Sequence, residues 1–220
     1  MTELSLHNQL KDHYAGSGDL VEHLVDGYVI DIVRGGELIE VQTGNFSAIK
    51  QKLYDLLREH KVRVVYPVAY KKWVTRVDLE GKRLSRRKSP KTGRVEELFN
   101  ELVYLPDVML EPSFELEVPL VNMDEILVDD GKGSWRRRRW SIQDRKLLSI
   151  ENTTLFRCRE DLLTLLPGNL PPIFTTRDLA KHSGLRTRLA QRMAYCLRHL
   201  RLLEVKDKRG RSYLYQLNQV

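Results

Sequence analysis

Two runs rich in β-branched residues, 28–33 and 38–42, stand on either side of Arg34-Gly35-Gly36-Glu37, and this arrangement limits the fold more than any other stretch of the chain. Adjacent glycines between such runs predict a β-hairpin. Side chains in a strand alternate between faces, so Asp31 should share a face with Val29 and Val33 while Ile30 and Ile32 point the other way. By the same rule Glu40 and Gln42 share one face of the second strand, and Ile39 and Val41 take the opposite, core-facing one. Across the hairpin, Asp31 and Glu40 come within reach of each other.

The flanking elements follow from periodicity. Residues 4–14 predict an opening helix, with Leu6 and Leu10 on one side and Glu3, His7 and Lys11 at four-residue spacing on a neighbouring stripe. A loop over 15–19, with Gly16 and Gly18, ends it. After a stop at Thr43-Gly44, Asn45 is a candidate N-cap for a helix to about His60, with Phe46, Ile49, Leu53, Leu56 and Leu57 at the 3.6 period, and 62–68 reads as a buried strand. The order so far is α-β-β-α-β. A second hairpin over 73–78 and 83–87 turns at Glu80-Gly81, an amphipathic helix covers 95–105, and Phe114, Leu116, Val118 and Leu120 alternate as a half-buried strand. Residues 122–134, acidic and then glycine-containing, read as a linker.

Beyond residue 155 the pattern changes. A short helix ends before Pro167, Thr175 and Thr176 cap a helix through Lys181, Ser183-Gly184 turns the chain, and a longer helix spans 186–200. Strands over 203–206 and 212–217 close on Arg209-Gly210. Helix, turn, helix and hairpin is the order of a winged helix. The expected organisation is therefore an α/β domain over 1–130, a basic linker segment over 131–154 and a winged-helix module over 155–220.

With 220 residues, 41% of them apolar and 30% charged, the chain can build one large core or two small ones. No apolar run approaches the ~20 residues a membrane span needs, and the opening residues are too polar for a secretory segment, so a cytoplasmic location with no membrane partner is expected. Cys158 and Cys196 lie far apart and match no zinc spacing, so both are expected to be reduced and buried. The six histidines form no HExxH or HxH pair, which excludes the common zinc hydrolases.

Charge is distributed unevenly. Residues 1–60 hold five Lys/Arg against ten Asp/Glu, whereas 157–220 hold thirteen against five. A polyanion is drawn to a basic surface by counterion release, so DNA is the expected partner; ordinary surface charge is the alternative. Seven Lys/Arg and no acid lie between Lys82 and Arg94, with Arg86, Arg87 and Lys88 at the centre. Seven more lie between Lys132 and Lys146 against Asp144, and here Trp135 and Trp140 flank four arginines, among them Arg136 and Arg137. Guanidinium groups pair with phosphates and indoles stack on bases; the other reading, preferred for Trp140, makes the indoles core and the arginines a solvated face. In the C-terminal module Arg186, Arg188 and Arg192 on the longer helix, with Lys208, Arg209 and Arg211 on the hairpin, are the DNA-binding candidates. Leu189, Met193, Leu197 and Leu200 form its buried stripe. Such an arrangement resembles winged-helix DNA-binding domains, which place the second helix in the major groove.

Two carboxylates brought together are commonly stabilised by a divalent cation, here Mg²⁺ or Mn²⁺; otherwise they belong to a solvated sheet face. The α-β-β-α-β order, with Asp31 on one strand and Glu40-Val41-Gln42 on the next, resembles the PD-(D/E)XK nuclease superfamily over residues 1–68. The resemblance implies a restriction-endonuclease-like α/β core with a mixed sheet and metal-dependent hydrolysis of DNA. Asp31 and Glu40 would be catalytic metal ligands, joined by Glu3 as the helix acid, and Gln42 would occupy the position of the usual lysine. Ile30 replaces the family's proline. Lys50 or Lys52 could restore the missing charge, or both are solvated helix lysines. Many nucleases of this fold cut as dimers, so a homodimer is also expected. The rival readings are a non-catalytic DNA-binding or regulatory protein on a nuclease-like scaffold, and an interaction subunit of a larger nucleic-acid complex.

Overall fold

The computed structural model describes residues 5–135 and 140–218. Helix α1 (Ser5–Tyr14) leads into three antiparallel strands, β1 (Leu20–Val25), β2 (Tyr28–Arg34) and β3 (Glu37–Val41). The β2–β3 turn uses Gly35 and Gly36 at φ 51° and 89°, a conformation that costs glycine little. Strand β1 is not foreseen in the sequence. It forms the edge of the sheet, its first five residues are exposed, and so it lacks the alternating burial that marks a strand.

A 3₁₀ turn over Phe46–Ile49 feeds α2 (Lys50–Leu56), a shorter helix than expected. Asn45 stands at φ 58° and its side chain caps nothing, so the helix starts through the 3₁₀ turn. Next come β4 (Lys61–Val65), β5 (Val68–Val77) and β6 (Arg83–Thr92), the last two forming the expected second hairpin with Gly81 in its turn. The helix expected over 95–105 splits into a 3₁₀ turn, Val95–Leu98, and α3 (Phe99–Leu102).

The long strands β7 (Phe114–Val128) and β8 (Ser141–Phe156) overturn the linker readings of 122–134 and 131–154. Strand β7 runs parallel to β4 and then to β5 along one edge, and antiparallel to β8 along the other. Its acids suggested solvent because their partners lie far away in sequence. Asp124 pairs with Arg86 at 2.7 Å, and Glu125 pairs with Lys72 at 3.0 Å and Arg145 at 3.3 Å. The result is a mixed α/β protein with an eight-stranded mixed sheet.

Both faces of the sheet are covered. Leu6 and Leu10 of α1 pack with Ile32, Ile39 and Val41 in a small core on one side. On the other side Leu53 and Leu56 of α2 and Phe99 and Leu102 of α3 pack with Ile30, Leu38 and Val64 in a larger one. Burial at this scale, ~25 cal/mol per Å² of apolar surface, is what holds the layers together.

The C-terminal region keeps its expected order: α4 (Thr176–Ser183), α5 (Thr187–His199), then the hairpin β9 (Leu203–Arg209) and β10 (Ser212–Leu217). Local chemistry sets the ends of α4. The Thr175 hydroxyl accepts the N–H groups of Arg177 and Asp178 at 3.2 Å, Asp178 accepts the Thr175 N–H at 2.9 Å, and Gly184 closes the helix at φ 69°. Backbone bonds between Phe174 and Tyr215 form a single antiparallel bridge beside the hairpin. This region does not stand apart: Met193, Ala194 and Leu197 of α5 are buried in the same continuous core as Phe99 and Leu102. Cys196 is buried there, but Cys158 is exposed, against expectation, where the chain leaves β8 for the 3₁₀ turn Arg159–Leu165. Among the described residues no helix is long and apolar enough to cross a membrane.

Candidate active site and basic surfaces

Strand β2 changes phase at Asp31. In a regular strand Ile30 and Ile32 would share a face, yet Ile30 packs in the core under α2 and Ile32 in the core under α1. Pairing of β2 with β3 runs from Arg34 opposite Glu37 to Ile32 opposite Ile39 and stops there. Beyond it the Asp31 carboxylate takes over the ladder's role, its Oδ2 accepting the Val41 N–H at 2.8 Å. On the other edge Glu22, at φ 51°, interrupts the β1–β2 ladder at the same level. Asp31 thus sits where strands part, and the expectation that Ile30 and Ile32 face the same way is corrected for that reason.

Basic side chains of the chain converge on the two acids from opposite sides. From α1, His7 Nε2 lies 3.3 Å and Lys11 Nζ 3.9 Å from the Asp31 carboxylate, and Lys11 also binds Glu22 Oε1 at 2.6 Å. From α2, Lys52 forms an ion pair with Glu40 and donates to the Val29 carbonyl at 2.6 Å, so that it spans both strands. Glu40 is only 7% exposed. Burial pushes its carboxyl up to about 7, the negative charge of Asp31 adds to the rise, and Lys52 pulls it back in part.

Lys52, rather than the exposed Lys50, supplies the charge beside the acids. His7 and Lys11 were legible only as part of a helical stripe with Glu3, and nothing in the sequence pointed to Glu22. Gln42 does not join Glu40. It lies past the end of β3, where its N–H binds the Val65 carbonyl at 2.9 Å and its side-chain amide donates to the carbonyls of Gly44 and Asn45. The loop after the strand has claimed it. Glu3, Arg136 and Arg137 lie outside the described residues.

Among the described residues no group of three or more His, Cys, Asp or Glu could hold a metal ion. Asp31 and Glu40 make a two-carboxylate, all-oxygen donor set. Mg²⁺ commonly uses one or two carboxylates, with water and substrate phosphate completing its shell, so the residues present fit such an ion.

The basic candidates divide in three. On exposed β6, Arg86 is tied to Asp124 and, with Lys88, lies over the Trp73 ring at 5.4 and 5.7 Å, while Arg87 is exposed. On the β9–β10 hairpin Lys208, Arg209 and Arg211 are exposed, Lys208 resting 5.0 Å over Tyr213. On α5 the three arginines part company. Arg192 is half-buried, its Nη1 donating to Asn100 Oδ1 on α3 at 2.6 Å, and it lines the same cavity as the other two. Arg186 and Arg188 are exposed, and the fold brings them to Lys91 and Arg94 around a cavity of about 520 Å³. Trp140 is half-buried with Arg76 over its ring at 4.9 Å, between the two readings given for it.

An uncharacterized protein of Treponema pallidum (strain Nichols) is 34% identical over 216 residues, covering 97% of this chain and 85% of the relative. No solved structure matches the chain. A family profile described as "Domain of unknown function (DUF8091)" matches residues 4–157, from the start of α1 to just past β8, and therefore includes Asp31, Glu40 and Lys52. With 154 of 220 residues so matched, the chain belongs to the DUF8091 family.

Proposed function

We propose that this protein is a Mg²⁺- or Mn²⁺-dependent DNA nuclease of the PD-(D/E)XK kind, with a C-terminal module of winged-helix type that contributes to DNA binding. One observation carries the reading: Glu40 is a buried acid beside Asp31, at the place where β2 and β3 part, with the Lys52 ammonium upon it. A carboxyl raised to about 7 by burial and a second acid, against the pull of a lysine, serves no packing purpose that an apolar residue would not serve better. Asp31 and Glu40 would hold the divalent ion. When bound, such an ion supplies a Lewis acid that activates water and polarises a phosphodiester.

The chain's own residues do the rest. The Val41 N–H fixes the Asp31 carboxylate, so the acid keeps its place without help from substrate. Lys52 holds positive charge beside the acids, where the negative charge of a phosphodiester would enter. Lys11 balances Asp31 from the opposite side, where His7 also approaches the carboxylate. Gln42 takes no part, since its amide serves the loop.

A second reading, DNA binding on a non-catalytic scaffold, is favoured by the balance of charge: each acid already has a lysine of the chain near it. Cleavage of linear, nicked, branched and single-stranded DNA with Mg²⁺ or Mn²⁺ separates the two. Wild type should cut at least one form, and Glu40→Ala and Lys52→Ala should each lower the rate by about a hundredfold or more. Binding of all forms without cutting of any leaves the scaffold reading in its place.

A further inference from the structure

A helix that reads a major groove, about 12 Å wide, must present a free face to it. Helix α5 presents Arg188, Gln191, Tyr195 and Arg198 to solvent along one side. Its buried residues face α4 and the core shared with α3, Arg192 is bound to Asn100, and His199 is paired with Asp107 at 2.6 Å. At its start Arg186 and Arg188 form one wall of the cavity between the two regions. The opposite wall is fixed in place: Lys91 is paired with Glu97 at 2.7 Å, and Arg94 donates to the Ser183 carbonyl at 2.6 Å. Arg186 and Arg188 have no side-chain partner among the described residues. A cavity of about 520 Å³ falls within the roughly 300–1,000 Å³ that encloses a small ligand, far too narrow for a duplex and suited to a stretch of one strand.

Glu97 lines both this cavity and a smaller one of about 200 Å³, and the smaller one is lined by Leu6 and Thr43, the chain neighbours of His7 and Gln42. We propose that the groove between β6 and α5 binds the phosphodiester backbone of an unpaired DNA strand, so that the protein prefers DNA with a single-stranded segment. Strand binding does not rest on the nuclease reading. Phosphates meet Arg186 and Arg188, which are free to turn, against a fixed wall formed by Lys91 and Arg94. Glu97 is the one acid in the lining, and its charge opposes the strand.

Fluorescence anisotropy on the full chain tests this with a labelled oligo-dT of about 15 nucleotides and a duplex of the same length, in chelator without divalent metal so that cutting plays no part. Wild type should bind the single strand more tightly than the duplex. Arg186→Ala/Arg188→Ala should weaken single-strand binding by about tenfold or more and reduce the log K against log salt slope by about 1.4, ~0.7 for each phosphate that the variant no longer neutralises. Glu97→Gln should tighten it severalfold. The exposed arginine pair holds no other part of the chain, so the melting temperature of the double variant should match wild type. The proposal is overturned by unchanged single-strand binding in the double variant, by an equal loss for duplex, or by wild type binding neither form. Cleavage by wild type and its loss in Glu40→Ala judge the nuclease reading separately.

Discussion

At Asp31 and Glu40 like charges are drawn out of water, and each has a lysine of the same chain near it, Lys11 and Lys52. At Arg186 and Arg188 like charges stand in water, unmatched among the described residues. The two regions therefore answer to different variables. A buried matched cluster is barely screened by salt but changes its protonation, so pH and divalent ions act on it. An exposed row of guanidinium groups keeps its charge at any working pH and gives up affinity as salt rises. The first arrangement suits chemistry at one bond, and the second suits holding a polymer in place.

This contrast concerns charge and not folding, because the regions share a core. Met193 of α5 and Phe99 of α3 are both fully buried within it. Met193→Ala should cost about 2–5 kcal/mol, as large-to-small changes in packed cores do, and calorimetry should still show one cooperative transition. Two separated transitions would break the picture, making the C-terminal module a unit that merely leans on the sheet.

The next effect is smaller and depends on pH. The Glu40 carboxyl is raised to about 7 from an ordinary 4.5, so between those values the folded state binds more protons than the unfolded state, and the Glu40 contribution to stability falls as pH rises. Lys52 limits that loss once Glu40 ionises. Lys52→Met should cost little at about pH 5.5, where the carboxyl is neutral, and up to about 3 kcal/mol at about pH 8, where an unmatched carboxylate would be buried. Urea titrations at the two pH values measure the difference. An equal cost at both would mean that the lysine acts only through its bond to Val29.

The two regions also differed in how far the sequence exposed them. The ends of α4 and the turn of the last hairpin are written locally, in Thr175 with Asp178, in Gly184 and in Gly210, and they stand where pattern places them. Asp31 and Glu40 were likewise legible as acids on neighbouring strands. The phase change at Asp31 was not, because it arises where two ladders fail together, at Asp31 and at Glu22. That Lys52 rather than Lys50 meets Glu40 depends on how α2 crosses the hairpin, a distance no spacing rule contains. The acids of β7 looked like a linker for the same reason: Arg86, Lys72 and Arg145 reach them only through the completed sheet.

The smallest effect tests the coupling of the acids directly. Burial is the first cause of the raised Glu40 carboxyl and Asp31 the second, so removing the Asp31 charge should lower the Glu40 value from about 7 without returning it to 4.5. Asp31→Asn is the suitable change, because an amide oxygen can still accept the Val41 N–H and hold the strands as they are. Carbon-detected NMR of the Glu40 carboxyl across the titration reads the shift. The same variant should bind Mn²⁺ more weakly in spite of an acid that ionises more easily, since one of two ligands has lost its charge. A Glu40 titration that stays where it was would show that the two carboxyls do not sense one another. The acids would then be two separately satisfied polar groups, and their meeting at the parting of β2 and β3 would carry no chemistry.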